Sequence, residues 1–114
     1  SKYNKDFYLG DIKTKSKYVR IMCRDHEYED GDRIKLVLNK AIIHPNITLR
    51  NAGYVIDVKL SEGLNSLEFY ALNEGRSSPN TAELKVLDES GNIIGSGQWL
   101  LTTGYKARLI VLKQ

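Results

Sequence analysis

The sequence predicts an all-β domain, an antiparallel sandwich of two packed sheets. Three observations support this: short runs of alternating apolar and polar residues, turn residues between the runs, and almost no helical periodicity. Side chains two positions apart on a strand point the same way, so each run offers one apolar face. So many strands in 114 residues favour two face-to-face sheets, immunoglobulin-like or jelly-roll-like, over a small β-barrel.

Ten runs are predicted as strands, at 7–12, 18–24, 33–39, 41–44, 46–50, 54–60, 66–72, 82–87, 93–101 and 106–112. Run 18–24 places Cys23 between core-type residues, so Cys23 is interpreted as a small buried hydrophobe. Run 54–60 turns Asp57 and Lys59 outward. Alternation assigns the following residues to the core: Ile34, Leu36, Leu38, Tyr54, Ile56, Val58, Leu60, Leu67, Phe69, Ala71, Ala82, Leu84, Val86, Ala107, Leu109 and Val111.

Turn residues separate the runs at 29–32, 39–40, 61–65 and 89–92. Gly and Asn there supply the positive φ that tight hairpins require. The pair Asn39-Lys40 predicts a two-residue hairpin between Leu38 and Ala41. The polar residues 1–6 are interpreted as an N-terminal tether, and 7–114 as a single sandwich domain.

The totals agree with one globular domain, since apolar residues make up 41% of the chain, charged residues 27%, and the mean hydropathy is −0.39. No stretch approaches the roughly 20 apolar residues of a transmembrane helix. No signal-peptide pattern opens the sequence, which leaves a mature, a trimmed or a cytosolic chain as alternatives. The net charge of +3 is spread along the chain and does not indicate a nucleic-acid partner.

The most unusual local feature is a stretch with five carboxylates within eight positions. It follows one predicted strand and precedes another, and its carboxylates are Asp25, Glu27, Glu29, Asp30 and Asp32. Calcium takes six to eight oxygen ligands in irregular geometry, so these residues predict a calcium site, although their spacing is not that of an EF-hand. The alternative is a solvated acidic turn in which Asp30 and Asp32 bond local backbone amides.

A second polar stretch, 73–81, is richer in side-chain donors and acceptors than a simple hairpin needs. Asn73, Glu74 and Asn80 are therefore candidates for ligand binding or for completing the cation site. The alternative is a loop held by its own hydrogen bonds.

Aromatic residues raise the question of carbohydrate binding, because sugar-binding sandwiches stack an aromatic ring on a pyranose. Trp99 is the candidate platform, although a core position is favoured for it. The tyrosines that could be exposed are Tyr3, Tyr8, Tyr28, Tyr70 and Tyr105.

Catalysis is not predicted. Glycoside hydrolysis needs two carboxylates flanking the bond, and the candidates Asp25, Glu27, Glu29, Glu74 and Asp88 form no motif. Cys23, His26 and His44 lack the spacing of a zinc site.

Several segments carry a resemblance to a known family. They are 29–34 (EDGDRI), 38–40 (LNK), 46–49 (NITL), 63–67 (GLNSL), 71–75 (ALNEG) and 78–82 (SPNTA). Over residues 18–113 the chain resembles a sandwich domain of uncharacterised secreted or surface proteins of Bacteroidetes-type bacteria. That family has no assigned activity, so the resemblance implies no catalytic residues. It implies a secreted, periplasmic or cell-surface location, with a cytoplasmic location as the alternative.

These observations together predict a non-catalytic module of a secreted or cell-envelope protein that serves attachment or assembly and is stabilised by calcium. A carbohydrate-binding module is the first alternative, and a small glycan-active enzyme is the second. The sequence identifies neither a protein or glycan partner nor an oligomeric state.

Overall fold

The structure is a computed structural model, and it describes residues 4–75 and 79–114. Within these residues the chain forms nine strands in two sheets, which confirms the predicted sandwich; the sheets do not close into a barrel. The strands are β1 (Phe7–Thr14), β2 (Tyr18–Arg24), β3 (Arg33–Leu38), β4 (Ala41–Thr48), β5 (Tyr54–Lys59), β6 (Gly63–Ala71), β7 (Asn80–Leu87), β8 (Ile93–Leu101) and β9 (Lys106–Lys113).

The larger sheet has five strands in the order β1-β9-β6-β3-β4, and the smaller sheet has four in the order β5-β2-β7-β8. Neighbouring strands are antiparallel, except that β1 runs parallel to β9. No helix in residues 4–75 and 79–114 has the length and apolar character needed to cross a bilayer.

The core lies between the sheets and includes most of the inward residues that alternation predicts. It also contains residues that were not assigned to it, namely Val19, Ile21, Ile47, Leu49 and Leu101. Trp99 and Phe69 are fully buried at its centre, with ring centroids 5.1 Å apart. Of the predicted core residues, Leu38, Tyr54 and Ile56 are partly exposed and pack against the buried cluster. The strand faces were therefore predicted correctly, because period-2 alternation depends only on local sequence.

The Asn39-Lys40 hairpin is confirmed. Both residues have positive φ, 49° and 71°, as a two-residue turn of the type I′ class requires. Leu38 pairs with Ala41 across the turn.

The prediction of two strands at 41–44 and 46–50 was wrong, because β4 runs through Pro45 as one strand. Proline lacks the amide hydrogen that an inner strand must donate, but β4 lies at the edge of its sheet. Its pairing with β3 is irregular on either side of Leu36. The strand start predicted at 66 was also late, since β6 begins at Gly63 opposite Lys113.

One end of the sandwich carries the candidate site. The connections that meet there are 25–32, 49–53, 102–105 and the chain that follows β6, because β2, β4, β6 and β8 all finish at this end. Residues 4–6 lie at the same end, and Asp6 Oδ1 accepts a hydrogen bond from the backbone N–H of Lys106 (2.9 Å). We call this the acidic end. Residues 1–3 of the predicted tether lie outside the described residues.

Candidate functional site

The acidic loop, residues 25–32, connects β2 of the smaller sheet to β3 of the larger sheet and so passes over the edge of the core. Its two ends are fixed by backbone hydrogen bonds to the chain after β4. Asp25 N–H donates to Arg50 O (3.0 Å), and Leu49 N–H donates to Asp32 O (2.8 Å). Asp25 and Asp32 are 0% and 1% exposed.

Three of the five predicted cation ligands come together in this loop. One carboxylate oxygen from each of Asp25, Asp30 and Asp32 lies within 4.8 Å of the other two. In residues 4–75 and 79–114 this is the one group of three or more His, Cys, Asp or Glu side chains whose ligand atoms approach so closely. We call it the aspartate triad.

Two members of the triad have one satisfied and one unsatisfied oxygen. Asp25 Oδ1 accepts from Glu27 N–H (3.0 Å) and from the Thr81 hydroxyl (3.3 Å), and Asp32 Oδ2 accepts from Thr81 N–H (2.9 Å). The other oxygens, Asp25 Oδ2 and Asp32 Oδ1, are buried and have no hydrogen-bond partner among the described residues. Buried polar atoms are rarely left in this state, so the triad lacks a partner that these atoms require.

Burial also perturbs the acidity of the triad. Loss of hydration raises the pKa of Asp25 above its ordinary value, against the effect of the hydrogen bonds from Glu27 and Thr81. Burial raises the pKa of Asp32 to about 7, with further increases from its contact with Asp30 and from the charges of Asp30 and Asp25. The ionised forms of Asp25 and Asp32 are therefore disfavoured in the absence of a compensating positive charge.

Gly75, at the end of the chain segment that follows β6, approaches the triad closely. Its φ is +64°, and an added Cβ would lie 2.6 Å from three oxygens: the backbone O and Oδ1 of Asp30 and Oδ1 of Asp32. These oxygens converge on one small region beside Gly75, and the glycine is required there for both steric and backbone reasons.

The other two predicted ligands point elsewhere. Glu29 Oε2 accepts from Asn51 N–H (2.7 Å), and its Oε1 lies 3.9 Å from Arg50 Nη1. The Glu27 side chain is 62% exposed and lies 3.9 Å from His26 Nε2. The five carboxylates therefore divide into three that face inward together and two on the surface.

The candidate ligand residues Asn73 and Asn80 hold the backbone in place. Asn80 is fully buried; its Nδ2 donates to Arg33 O (3.0 Å) and Asn73 O (2.9 Å), and its Oδ1 accepts from Trp99 Nε1 (3.2 Å). Asn73 Oδ1 accepts from Arg33 N–H (2.8 Å), and its Nδ2 donates to Gly31 O (3.0 Å). One of these bonds lies within the stretch 73–81, and the others tie it to the acidic loop, to β3 and to β8.

Glu74, the third candidate of this stretch, lies toward the β8–β9 connection. Its Oε2 accepts from the Thr103 hydroxyl (2.7 Å). Arg76, Ser77 and Ser78 of the same predicted loop lie outside the described residues.

The aromatic candidates for sugar stacking are dispersed. Trp99 is 0% exposed, and the Tyr70 ring has the Nζ atoms of Lys35 and Lys106 at 4.7 and 5.5 Å from its centroid. Tyr28, 90% exposed, lies in the acidic loop, whereas Tyr8, 63% exposed, lies on β1, where its hydroxyl contacts Asp11. Tyr105 packs against the core, and Tyr3 is outside the described residues.

The cysteine and histidines do not come together. Cys23 is buried, and loss of hydration raises the pKa of its thiol to about 12, so the thiol stays protonated. His44 on β4 contacts the hydroxyl of Tyr54 on β5 (2.6 Å), across the gap between the two sheets. His26 adjoins Glu27 at the acidic end.

Sequence reasoning found the acidic loop and missed the residues that complete the site. Thr81 bonds both buried aspartates from 49 and 56 positions away. Asn51 Nδ2 donates to Asp25 O (2.7 Å) and Glu27 O (2.8 Å) and so holds the loop from the β4–β5 connection. Thr81 is the last residue of the polar stretch 73–81, in which Asn73, Glu74 and Asn80 were the candidates; no signal in the sequence singles out Thr81 or links Asn51 to the acidic loop.

Searches of this chain against protein-family models, curated protein sequences and solved structures find no match.

Proposed function

We propose that this chain is a non-catalytic β-sandwich module of a secreted or cell-envelope protein, serving attachment or assembly, in which the aspartate triad holds a calcium ion. The observation that carries the cation site is the pair of buried, unpartnered oxygens, Asp25 Oδ2 and Asp32 Oδ1. A cation at the triad would provide the partner that both atoms lack and would offset the repulsion among the carboxylates.

Calcium fits the chemistry of the site better than the other common metals. The atoms nearby are carboxylate, carbonyl and hydroxyl oxygens, which hard cations prefer, and neither imidazole nor thiolate belongs to the triad. Calcium tolerates irregular geometry and completes its shell with water, whereas magnesium requires a near-ideal octahedron.

The ion would connect the two sheets at the acidic end of the sandwich. Asp25 follows β2, Asp32 precedes β3, and both bond to Thr81 of β7, so the triad adjoins both sheets. A cation there would stabilise the folded state by mass action, because the triad does not exist in the unfolded chain.

The two alternative functions have less support. Carbohydrate binding by stacking loses its main candidate because Trp99 is buried, and lysines approach the ring of Tyr70. A glycan-active enzyme needs two carboxylates that a sugar can reach. Of the candidates, Asp25 is buried, and Glu29 and Glu74 accept hydrogen bonds from Asn51 and Thr103. The family resemblance of the sequence implies a secreted, periplasmic or cell-surface location and assigns no activity.

Thermal unfolding tests the cation site. The domain is first freed of metal with chelator and then titrated with calcium. Unfolding is followed by the fluorescence of Trp99, because its side chain moves from the core into water when the domain unfolds. At a calcium concentration about 100 times the Kd, the free energy of unfolding increases by about 2.7 kcal/mol. For a chain of 114 residues we expect this to raise Tm by about 10 °C.

Two variants give the matched comparison. Asp25→Asn should abolish most of the calcium response, whereas Asp57→Asn should retain it, because Asp57 lies on the outer surface and pairs with Arg20 (2.8 Å). A wild-type Tm that does not change up to several millimolar calcium would overturn the cation site. An equal response in Asp25→Asn would place the ion elsewhere.

A further inference from the structure

The first and last strands of the domain lie side by side and run in the same direction. β1 pairs with β9 from Phe7↔Ala107 to Thr14↔Lys113. The chain therefore enters β1 at the acidic end and leaves β9 at the opposite end of the sandwich. A pull on the two chain ends would draw β1 and β9 past each other along the strand axis.

We propose that the β1–β9 pair makes this domain a mechanical connector. The pair resists tension that is applied to the chain before β1 and after β9. The inference rests on the proposed attachment role, but it does not use the cation site. Sliding two parallel strands past each other loads all of their hydrogen bonds at once. Pulling the strands apart from one end breaks the same bonds one after another.

The register between β1 and β9 is fixed at several points. Leu9 forms a bulge between the pairs Tyr8↔Arg108 and Gly10↔Leu109, and a bulge prevents smooth slippage. Beyond the last pair, Gln114 N–H donates to Thr14 O (2.9 Å). A shift by one residue would turn the inward side chains of β1 to the other face.

β1 is also held by the opposite sheet. The side chains of Leu9 and Ile12 lie over two glycines of β8, where an added Cβ on Gly97 would be 3.0 Å from Leu9 Cδ2 and one on Gly95 would be 3.2 Å from Ile12 Cγ2. The glycines leave space for this close approach. β1 therefore bonds to β9 in one sheet and packs against β8 in the other.

The strand that receives the load is itself well supported. β9 lies inside the larger sheet and pairs on its other side with β6, from Gly63↔Lys113 to Tyr70↔Lys106. Tension on β1 is thus transferred to β9, a strand that is hydrogen-bonded on both sides.

Single-molecule pulling on the full chain, placed between reference domains, tests the proposal in two attachment geometries. In the first, force is applied through residues 1 and 114, which slides β1 along β9. In the second, it is applied through Lys15→Cys and residue 114, at the same end of both strands, which separates them one bond at a time. Lys15 is exposed, and the native Cys23 is buried and does not compete for the linker.

We expect the unfolding force to be several-fold higher in the first geometry than in the second. Equal forces would overturn the proposal. The variant Gly97→Ala should lower the force in the first geometry because it displaces Leu9, whereas Ser96→Ala, an exposed neighbour on the same strand, should not. A force unchanged by Gly97→Ala would contradict the role assigned to β8.

The same measurement separates this inference from the cation site. The triad residues lie on neither β1 nor β9, so the difference between the two geometries should persist in chelator. A missing thermal response to calcium would overturn the cation site alone. If the unfolding forces are equal in the two geometries but Tm still rises with calcium, the mechanical role is overturned and the cation site is retained.

Discussion

Replacing Asp32 by Asn should make the calcium-free domain more stable at neutral and alkaline pH. The ionised form of Asp32 is penalised by burial and by the neighbouring carboxylates, which is why its pKa is raised to about 7. An asparagine has nearly the same shape, and its carbonyl oxygen can still accept from Thr81 N–H. Its amide group can also donate to the carboxylate of Asp30, which contacts Asp32.

The magnitude follows from the change in pKa between the folded and unfolded states. The pKa of Asp32 rises from 3.8 to about 7 on folding, so between these values the folded domain holds a proton that the unfolded chain releases. Stability therefore falls as pH rises through this range. At about 1.4 kcal/mol per pKa unit, the wild type loses at most about 4 kcal/mol by pH 8, and about 1–2 kcal/mol of this by pH 5. Asp32→Asn avoids this loss because it carries no charge.

Urea unfolding in chelator at pH 5 and pH 8 measures the effect, with Trp99 fluorescence as the signal. The free energy of unfolding of Asp32→Asn should exceed that of the wild type by more at pH 8 than at pH 5. Added calcium should reduce this difference, because the ion stabilises the wild type more than the variant. Asp57→Asn is the control, since the Asp57 side chain is 47% exposed and its pairing with Arg20 on the outer surface should contribute little to stability at either pH. If Asp32→Asn is less stable than the wild type at pH 8 in chelator, the folded domain stabilises ionised Asp32, and the prediction that burial penalises this charge is wrong.

Three further predictions concern single positions. Gly75→Ala should lower stability by about 2–3 kcal/mol and weaken the calcium response, while Gly104→Ala, with positive φ but open space, should cost only about 1 kcal/mol in urea unfolding. Asn80→Ala should cost about 3 kcal/mol, measured in the same way, because Trp99 Nε1–H loses its acceptor. Cys23 should react with a thiol reagent about a thousandfold more slowly than free cysteine, and fast labelling of the folded domain would contradict its burial.

The fold was largely predictable because strand faces are a local property. The inward side chains of β6, Leu67, Phe69 and Ala71, follow from alternation alone, and no distant residue changes that pattern. The position of Pro45 inside β4 was not predictable in the same way, since proline is tolerated there only because β4 lies at a sheet edge. Sheet order is a property of the whole chain.

The site was predictable only in part, because alternation does not apply in a loop. The sequence shows five carboxylates between residues 25 and 32 but does not tell which of them are buried. Distant partners decide this: Thr81 draws Asp25 and Asp32 inward, and Asn51 N–H binds Glu29 at the surface. Such contacts depend on how the two sheets are placed, which one sequence does not reveal.

The irregular edge strand β4 affects how this protein behaves when many copies are close together. Straight, unpaired edge strands of neighbouring molecules can join into a continuous sheet, which begins aggregation. Pro45 removes a donor from the β4 edge, and the irregular pairing around Leu36 distorts it. One edge of the smaller sheet, β5, is short and carries exposed Asp57 and Lys59. Two of the four sheet edges, β4 and β5, are therefore poor templates for joining a strand of another molecule, even when copies are crowded together.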